Sequence, residues 1–144
     1  RPFVPGTDNT AWLALNNASF AGHPEQGDWS PEVLAARCGE PWFDPALFIL
    51  AENDHGAIVG ANWVRRHDAH EAEIYVIAVA PAARGIGLGR ALAVIGLETA
   101  RLDGAATASL YCAADNDPAR RLYASLGFRV TRTDRAYEAE IPSR

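Results

Sequence analysis

Between Val79 and Arg90 the chain reads Val79-Ala80-Pro81-Ala82-Ala83-Arg84-Gly85-Ile86-Gly87-Leu88-Gly89-Arg90, with three glycines at alternate positions between a β-branched run and a periodic apolar segment. That order dictates a strand, a tight loop and a helix start in immediate succession. Upstream, Glu73 to Val79 is apolar without clean alternation, which predicts a strand buried on both faces and stopped by Pro81. Downstream, Leu88, Leu92, Ile95 and Leu102 are expected on one helical face, leaving Arg90, Glu98 and Arg101 to water. Glycine lets backbone approach an anion closely. The amides of such a loop and of the first helical turn point at the anion with the positive end of the helix dipole. Arg84 and Arg90 can add charge-assisted contacts to phosphate oxygens. A strand-to-helix turn with no ligand uses the same glycines, so the stretch alone leaves both readings open. It carries neither Gly-Lys-Ser/Thr nor G-x-G-x-x-G, the fingerprints of the nucleotide-binding families.

The remaining pattern predicts helices at Asp8 to Phe20, with Asp8 as N-cap, and at Ser30 to about Cys38, where Ser-Pro-Glu starts the helix and Gly39 ends it. His23 to Trp29 reads as a loop. Strands at Phe48 to Glu52 and Ala57 to Arg66 form a hairpin around Asn53-Asp54-His55-Gly56. Thr107 to Cys112 is a further strand, and Asp117-Pro118 opens a helix carrying Ala119, Leu122, Tyr123 and Leu126 on one face, stopped by Gly127. Phe128 to Ala139 completes the sheet. The fold class is α/β (α+β), one mixed central sheet flanked by helices.

The 144 residues are enough for one domain with its own core, and residues 1–144 are read as a single domain. No apolar run approaches the ~18 residues of a membrane span, so a soluble, cytoplasmic protein is expected. A net charge of −5 gives no electrostatic footprint for nucleic acid. All 13 basic residues are Arg, which looks like GC-rich coding, and the missing initiator Met and the opening on Arg1 suggest a trimmed or excised piece. Cys38 and Cys112 fit no metal spacing and read as buried or idle thiols, and His23, His55, His67 and His70 show none either, so no metal is expected.

Arg84-x-x-Gly87-x-Gly89, after a strand ending Val-x-Pro, resembles the coenzyme A loop of the GNAT acyltransferase superfamily. Asn116-x-x-Ala119-x-x-x-Tyr123-x-x-x-Gly127-Phe128 is similar to that superfamily's second signature, a helix bringing a tyrosine toward the acyl-CoA sulfur. The resemblance implies a sheet with splayed strands, acetyl-CoA as the cofactor, and cofactor contacts from Ile77, Ala78 and Val79, from Arg84, Gly85, Ile86, Gly87, Leu88, Gly89 and Arg90, and from Asn116, Ala119 and Arg121. A closer resemblance, to the C-terminal half of the mycothiol synthase family, rests on His23-Pro24-Glu25-Gln26-Gly27, Glu40-Pro41-Trp42-Phe43-Asp44-Pro45, Glu73-Ile74-Tyr75-Val76 and Leu110-Tyr111-x-x-Ala114-Asp115-Asn116. It implies acetylation of the cysteinyl amine of a glucosaminyl-inositol conjugate. That family joins two GNAT domains, so a second domain or a homodimer is the expected partner.

Acetyl transfer to an amine needs the ammonium to lose a proton. Glu73, at the head of the strand leading to the loop, is the best-placed base, although a strand-end carboxylate can also merely be solvated. Neutralising a cysteinyl α-amine of pKa near ~8 at pH 7 costs about 1.4 kcal/mol, against about 4.6 for a lysine side chain, which suits a modest carboxylate base to the former. Tyr123 is the expected acid that protonates the leaving thiolate, a role that rests on the second signature; its place on the apolar face of its helix alone favours a core tyrosine. Glu25, Arg65, Glu73 and Tyr111 are the expected substrate contacts, with Arg65 standing where the family usually has lysine. Trp29, Trp42 and Trp63 read as core or pocket wall. Three readings stand: a mycothiol synthase-like enzyme, a GNAT enzyme for another amine or a protein N-terminus, and an acyl-CoA-binding module without catalysis.

Overall fold

The computed structural model describes residues 1–23, 26–135 and 137, arranged as two compact units, Arg1–Tyr111 and Cys112–Arg144. In the first unit the β-branched and aromatic runs become strands, as expected for a pleated, half-buried surface. Strands β1 (Phe48–Glu52) and β2 (Ile58–Arg66) form the antiparallel hairpin. Its turn is built by Asn53, whose Oδ1 accepts the amides of His55 and Ala57, and by Gly56 at φ +76°. Strand β3 (Glu71–Val79) pairs antiparallel with β2, and β4 (Thr107–Leu110) pairs parallel with β3, giving the order β1-β2-β3-β4. A parallel pair needs a crossover, supplied by helix α3 (Leu88–Leu102).

The β2–β3 register contains one irregularity. Trp63 faces Val76 and Val64 faces Ile74, so Tyr75 is an extra residue, a β-bulge. On its N-terminal side Ala72 packs with Val64 and Ala100 of α3. On its C-terminal side Val76 and Ala78 pack with Ala61 and Trp63, on the opposite face, in the core closed by α1 (Asn9–Ser19) and α2 (Pro31–Cys38). That core centres on Trp63, fully buried, stacked on Phe48 at 4.3 Å and met edge-on by Trp12 at 5.8 Å.

Local start and stop signals behave as expected for α2, where Ser30 Oγ accepts the Val33 amide, Pro31 is the first residue and Gly39 ends it. Asp8 holds the N-cap position of α1, but its side chain makes no capping bond. Its buried carboxylate instead accepts both Arg1 guanidinium nitrogens, at 2.8 and 2.9 Å, and the Val4 amide at 2.7 Å. The Arg1 hydrogen bonds hold it below the usual carboxylate range, against the opposing effect of burial and with help from the Val4 amide.

Helix α3 spans the expected residues but is rotated from the expected face. Leu92, Ala93, Gly96 and Ala100 are buried, whereas Ile95 and Leu102 are exposed. The reason is close approach: small residues let α3 lie directly on β2, where the fully buried Asn62 donates Nδ2 to Leu92 O at 2.8 Å. The strand expected to reach Cys112 ends at Leu110, and Cys112 is exposed rather than buried.

The second unit holds α4 (Asp117–Ser125), with Ala119, Leu122, Tyr123 and Leu126 on its more buried face and Gly127 at φ +91° beyond its end. The strand expected over Phe128 to Ala139 does not form between Phe128 and Arg135, and Ala136, Glu138 and Ala139 lie outside the described residues. Val130 is the one large apolar side chain between Phe128 and Arg135, and it is exposed, so the segment has no apolar face to bury. Among the described residues no helix is long and apolar enough to cross a membrane.

A methyl group at Gly96 would collide with the Asn62 amide and crowd Val64 Cγ2 at 3.2 Å. Gly96→Ala should therefore destabilise the fold by about 1–3 kcal/mol, the usual cost of overpacking. Denaturant unfolding checks this; an unchanged midpoint would mean that α3 can shift on the sheet.

Candidate active site

Strands β3 and β4 pair only from Glu71↔Thr107 to Ile74↔Leu110, while β3 and β2 stay paired as far as Gly60↔Val79. Beyond Ile74 one edge of β3 therefore has no strand beside it among the described residues. Ile77, Ala78 and Val79 lie on this half-open stretch, which offers backbone donors and acceptors to an extended ligand.

The chain then passes through a 3₁₀ turn (Pro81–Ala83) into the glycine loop. Gly85 and Gly87 take φ of +81° and +85°, and an added Cβ at either would meet nothing within 4 Å. Glycine is needed there for conformation, not for room, and the space beside the loop is open. The backbone ladder of α3 opens with Ala91 N–H to Gly87 O at 3.0 Å, so the amides of Gly85, Ile86, Gly87, Leu88 and Gly89 stand ahead of it. This is a helix N-terminus fitted to an anion. Arg90 is exposed on the first turn. Arg84 does not simply project toward the loop: its guanidinium donates to Val79 O and, at 3.1 Å, to Ser19 O, tying the end of β3 to the end of α1.

Glu73 is 7% exposed and lies across from Arg65 on β2 and beside Ser109 on β4. Its Oε2 is 2.7 Å from His67 Nε2. His67, Pro41, Trp42, Arg65, Arg66 and Asp68 line an open cleft of about 410 Å³. Within it the Arg65 guanidinium carbon sits 5.0 Å from the Trp42 ring centre and 5.9 Å from that of Tyr75. Its Nε is buried with no hydrogen-bond partner. Burial pushes the Tyr75 phenol up, against the opposing charges of Arg37 and Arg65. The structure thus brings Glu73 and Arg65 to neighbouring positions on one sheet face. Tyr111 lies past the end of β4 and is 73% exposed, not half-buried on a strand. Glu25 lies outside the described residues. Trp42 and Trp63 are pocket wall and core respectively, as expected.

Sequence reasoning weighed His67 only as a metal ligand and missed its contact with Glu73. The hairpin register contains the signal, since His67 N–H bonds to Glu71 O and so closes the β2–β3 turn next to Glu73.

In the second unit Asn116 Oδ1 accepts the Ala119 amide and caps α4, and Arg121 is exposed. Tyr123 is 9% exposed, its ring edge-on to Phe128 at 5.9 Å. Burial, aided by Cys112, pushes its phenol up to about 12, so at neutral pH it is a hydrogen-bond donor. The raised value stabilises the fold fully below the ordinary tyrosine range near ~10, and this stabilisation is lost as pH rises from there through about 12. Ultraviolet titration should show a late phenolate step that Tyr123→Phe removes. A wild-type curve without that step would place the phenol in water.

The chain matches the acetyltransferase (GNAT) family over residues 10–128. It is 49% identical over 142 residues to a mycothiol acetyltransferase of Thermomonospora curvata, covering 99% of this chain and 48% of that one. A mycothiol acetyltransferase of Streptomyces avermitilis is 50% identical over 142 residues, covering 97% and 46%. The chain thus spans about half the length of the curated relatives it matches. Among solved structures it resembles a GCN5-related N-acetyltransferase from Sphaerobacter thermophilus, with TM-score 0.74 and 27% identity over 88% of this chain and 39% of that one. It also resembles the ribosomal-protein-S18-alanine N-acetyltransferase of Escherichia coli, with TM-score 0.75 and 27% identity over 90% and 76%. The half-open β3, the glycine loop at the start of α3 and the sequence match over most of the chain agree: the chain belongs to the GNAT acetyltransferase family.

Proposed function

We propose that this domain transfers an acetyl group from acetyl-CoA to a small-molecule primary amine, namely the cysteinyl amine of a glucosaminyl-inositol conjugate. The observation that carries the reading is a nine-tenths-buried carboxylate, Glu73, on the strand that leads into an anion-fitted glycine loop. Relatives named mycothiol acetyltransferase, at 49% and 50% identity, support the choice of acceptor.

Acetyl-CoA supplies the thioester and the residues present fit it. The amides of Gly85 to Gly89, Arg90 and the unused donors of Arg84 hold the pyrophosphate, the open edge of Ile77, Ala78 and Val79 holds the amide-bearing arm, and Asn116, Ala119 and Arg121 add contacts from α4. Glu73 takes the proton of the acceptor ammonium. Tyr123 donates to the leaving sulfur. Handing a proton from a phenol pushed up to about 12 to a thiolate is uphill, because thiols are the stronger acids. Tyr123 therefore acts as a donor whose hydrogen bond strengthens as charge develops, not as a group that ionises. Glu25, Arg65 and Tyr111 contact the polyhydroxylated acceptor. Residues 1–144 form one transfer domain working in the cytoplasm, partnered by a second domain of the same kind or a second copy.

Gly87→Asp puts a carboxylate into the anion site and an L side chain at φ +85°. It should abolish acetyl-CoA binding in calorimetry, and unchanged affinity would reject the loop as the site. In competition at pH 7 a cysteinyl-glucosaminyl-inositol acceptor should outperform a lysine peptide, by up to the ~3 kcal/mol that separates their deprotonation costs. Equal or better turnover of a peptide would move the chain toward acetylation of proteins, the second reading, which the 27% identity to the S18-alanine enzyme favours.

A further inference from the structure

A carboxylate buried as deeply as Glu73 is oriented by protein groups rather than by bulk water, and a buried charge with too few partners is costly. One hydrogen bond is recorded for it among the described residues, from the His67 ring at 2.7 Å, the length of a charge-assisted contact. The bond occupies Oε2 and leaves Oε1 outside it.

The position of His67 is itself fixed. Its amide bonds to Glu71 O at 3.0 Å. The next residue, Asp68, accepts the amides of His70 and Glu71 at 2.7 and 2.8 Å. Arg66 binds the carbonyls of Asp68 and Ala69 on one side and those of Ala100 and Asp103 on the other. The ring is about one-third exposed (34%) and lines the cleft beside Trp42 and Arg65, so protons from solvent reach it while Glu73 stays covered.

We propose that His67 is a positioning residue for Glu73: its Nε2–H holds Oε2 so that Oε1 meets the acceptor amine, and protonation of the ring from the cleft makes an ion pair in which Glu73 is a poor base. The proposal rests on the reading of Glu73 as the base. Beside the pair lie Arg65, across from Glu73 on β2, Arg66 and Asp68, which line the same cleft as His67, and Tyr75 on β3, which the charges of Arg37 and Glu40 from α2 and its end also reach.

The test compares kcat/KM against pH for wild type, His67→Gln and His67→Ala, with acetyl-CoA and the cysteinyl-glucosaminyl-inositol acceptor. His67→Ala should lower kcat roughly tenfold to a hundredfold, the worth of a hydrogen bond to a charged group, with acetyl-CoA affinity unchanged. His67→Gln, which keeps a donor but cannot titrate, should recover most of that loss and move the acidic limb to lower pH. An acidic limb that coincides with wild type in His67→Gln would overturn the proposal. Nitrogen NMR of the His67 ring supplies an arm independent of turnover: the proton should sit on Nε2 in wild type, and the preference should weaken in Glu73→Leu, which leaves Nε2–H no acceptor. An unaltered tautomer in that variant would overturn the pairing without touching the base assignment. Wild-type turnover of Glu73→Gln would overturn the base assignment, and the proposal with it, whatever the tautomer shows.

Discussion

The extra residue at Tyr75 decides how this sheet is used. A strand of strict alternation would send residues 72, 74, 76 and 78 to one layer. The bulge instead leaves Ala72 against α3 and turns Val76 and Ala78 to the Trp63 side. Tyr75 and Val76 consequently both pack toward Trp63, and Glu73, opposite Arg65, shares that face with Tyr75. Bulges increase local twist and disrupt a ladder, and pairing with β4 stops at Ile74, the residue before the bulge. One inserted residue thus coincides with the buried carboxylate, the aromatic wall and the free strand edge.

The second constraint is close approach on the other face. Gly96 and the alanines of α3 bring that helix near enough for Asn62 to reach the Leu92 carbonyl, and this fixes where α3 begins relative to the end of β3. The anion-fitted amides are held in place by helix packing as much as by the loop's own glycines. Arg84 adds a brace, spending donors on the carbonyls of Val79 and Ser19.

Much of this was legible in the sequence where chemistry is local. Ser30-Pro31, Asn53 to Gly56, Gly85 to Gly89 and Asn116 to Gly127 each specify their backbone within a few residues, and each forms as read. What was not legible depends on partners distant in the chain. Asp8 stands at the N-cap of α1 as its position indicates, yet its carboxylate is claimed by Arg1 and Val4. Ile95 and Leu102 outweigh alanine and glycine on any hydropathy scale, yet the small residues take the buried face because β2 lies so close. His67 looks like an unassigned histidine until the hairpin register sets it beside Glu73. The bulge itself leaves no mark in a run of apolar residues that permits either alternation.

The Arg65 position shows why the residue type matters to the chemistry beside it. Its Nε is buried without a hydrogen-bond partner and its guanidinium lies near the rings of Trp42 and Tyr75. A lysine ammonium there would be a compact, strongly hydrated charge paying more for desolvation, and one that gives up its proton readily when buried. Arginine is weakly hydrated, stacks on aromatic faces and stays protonated, so it contributes a fixed positive charge to this face. On this face of the sheet the two groups proposed to handle protons are then Glu73 and His67, joined by the 2.7 Å hydrogen bond.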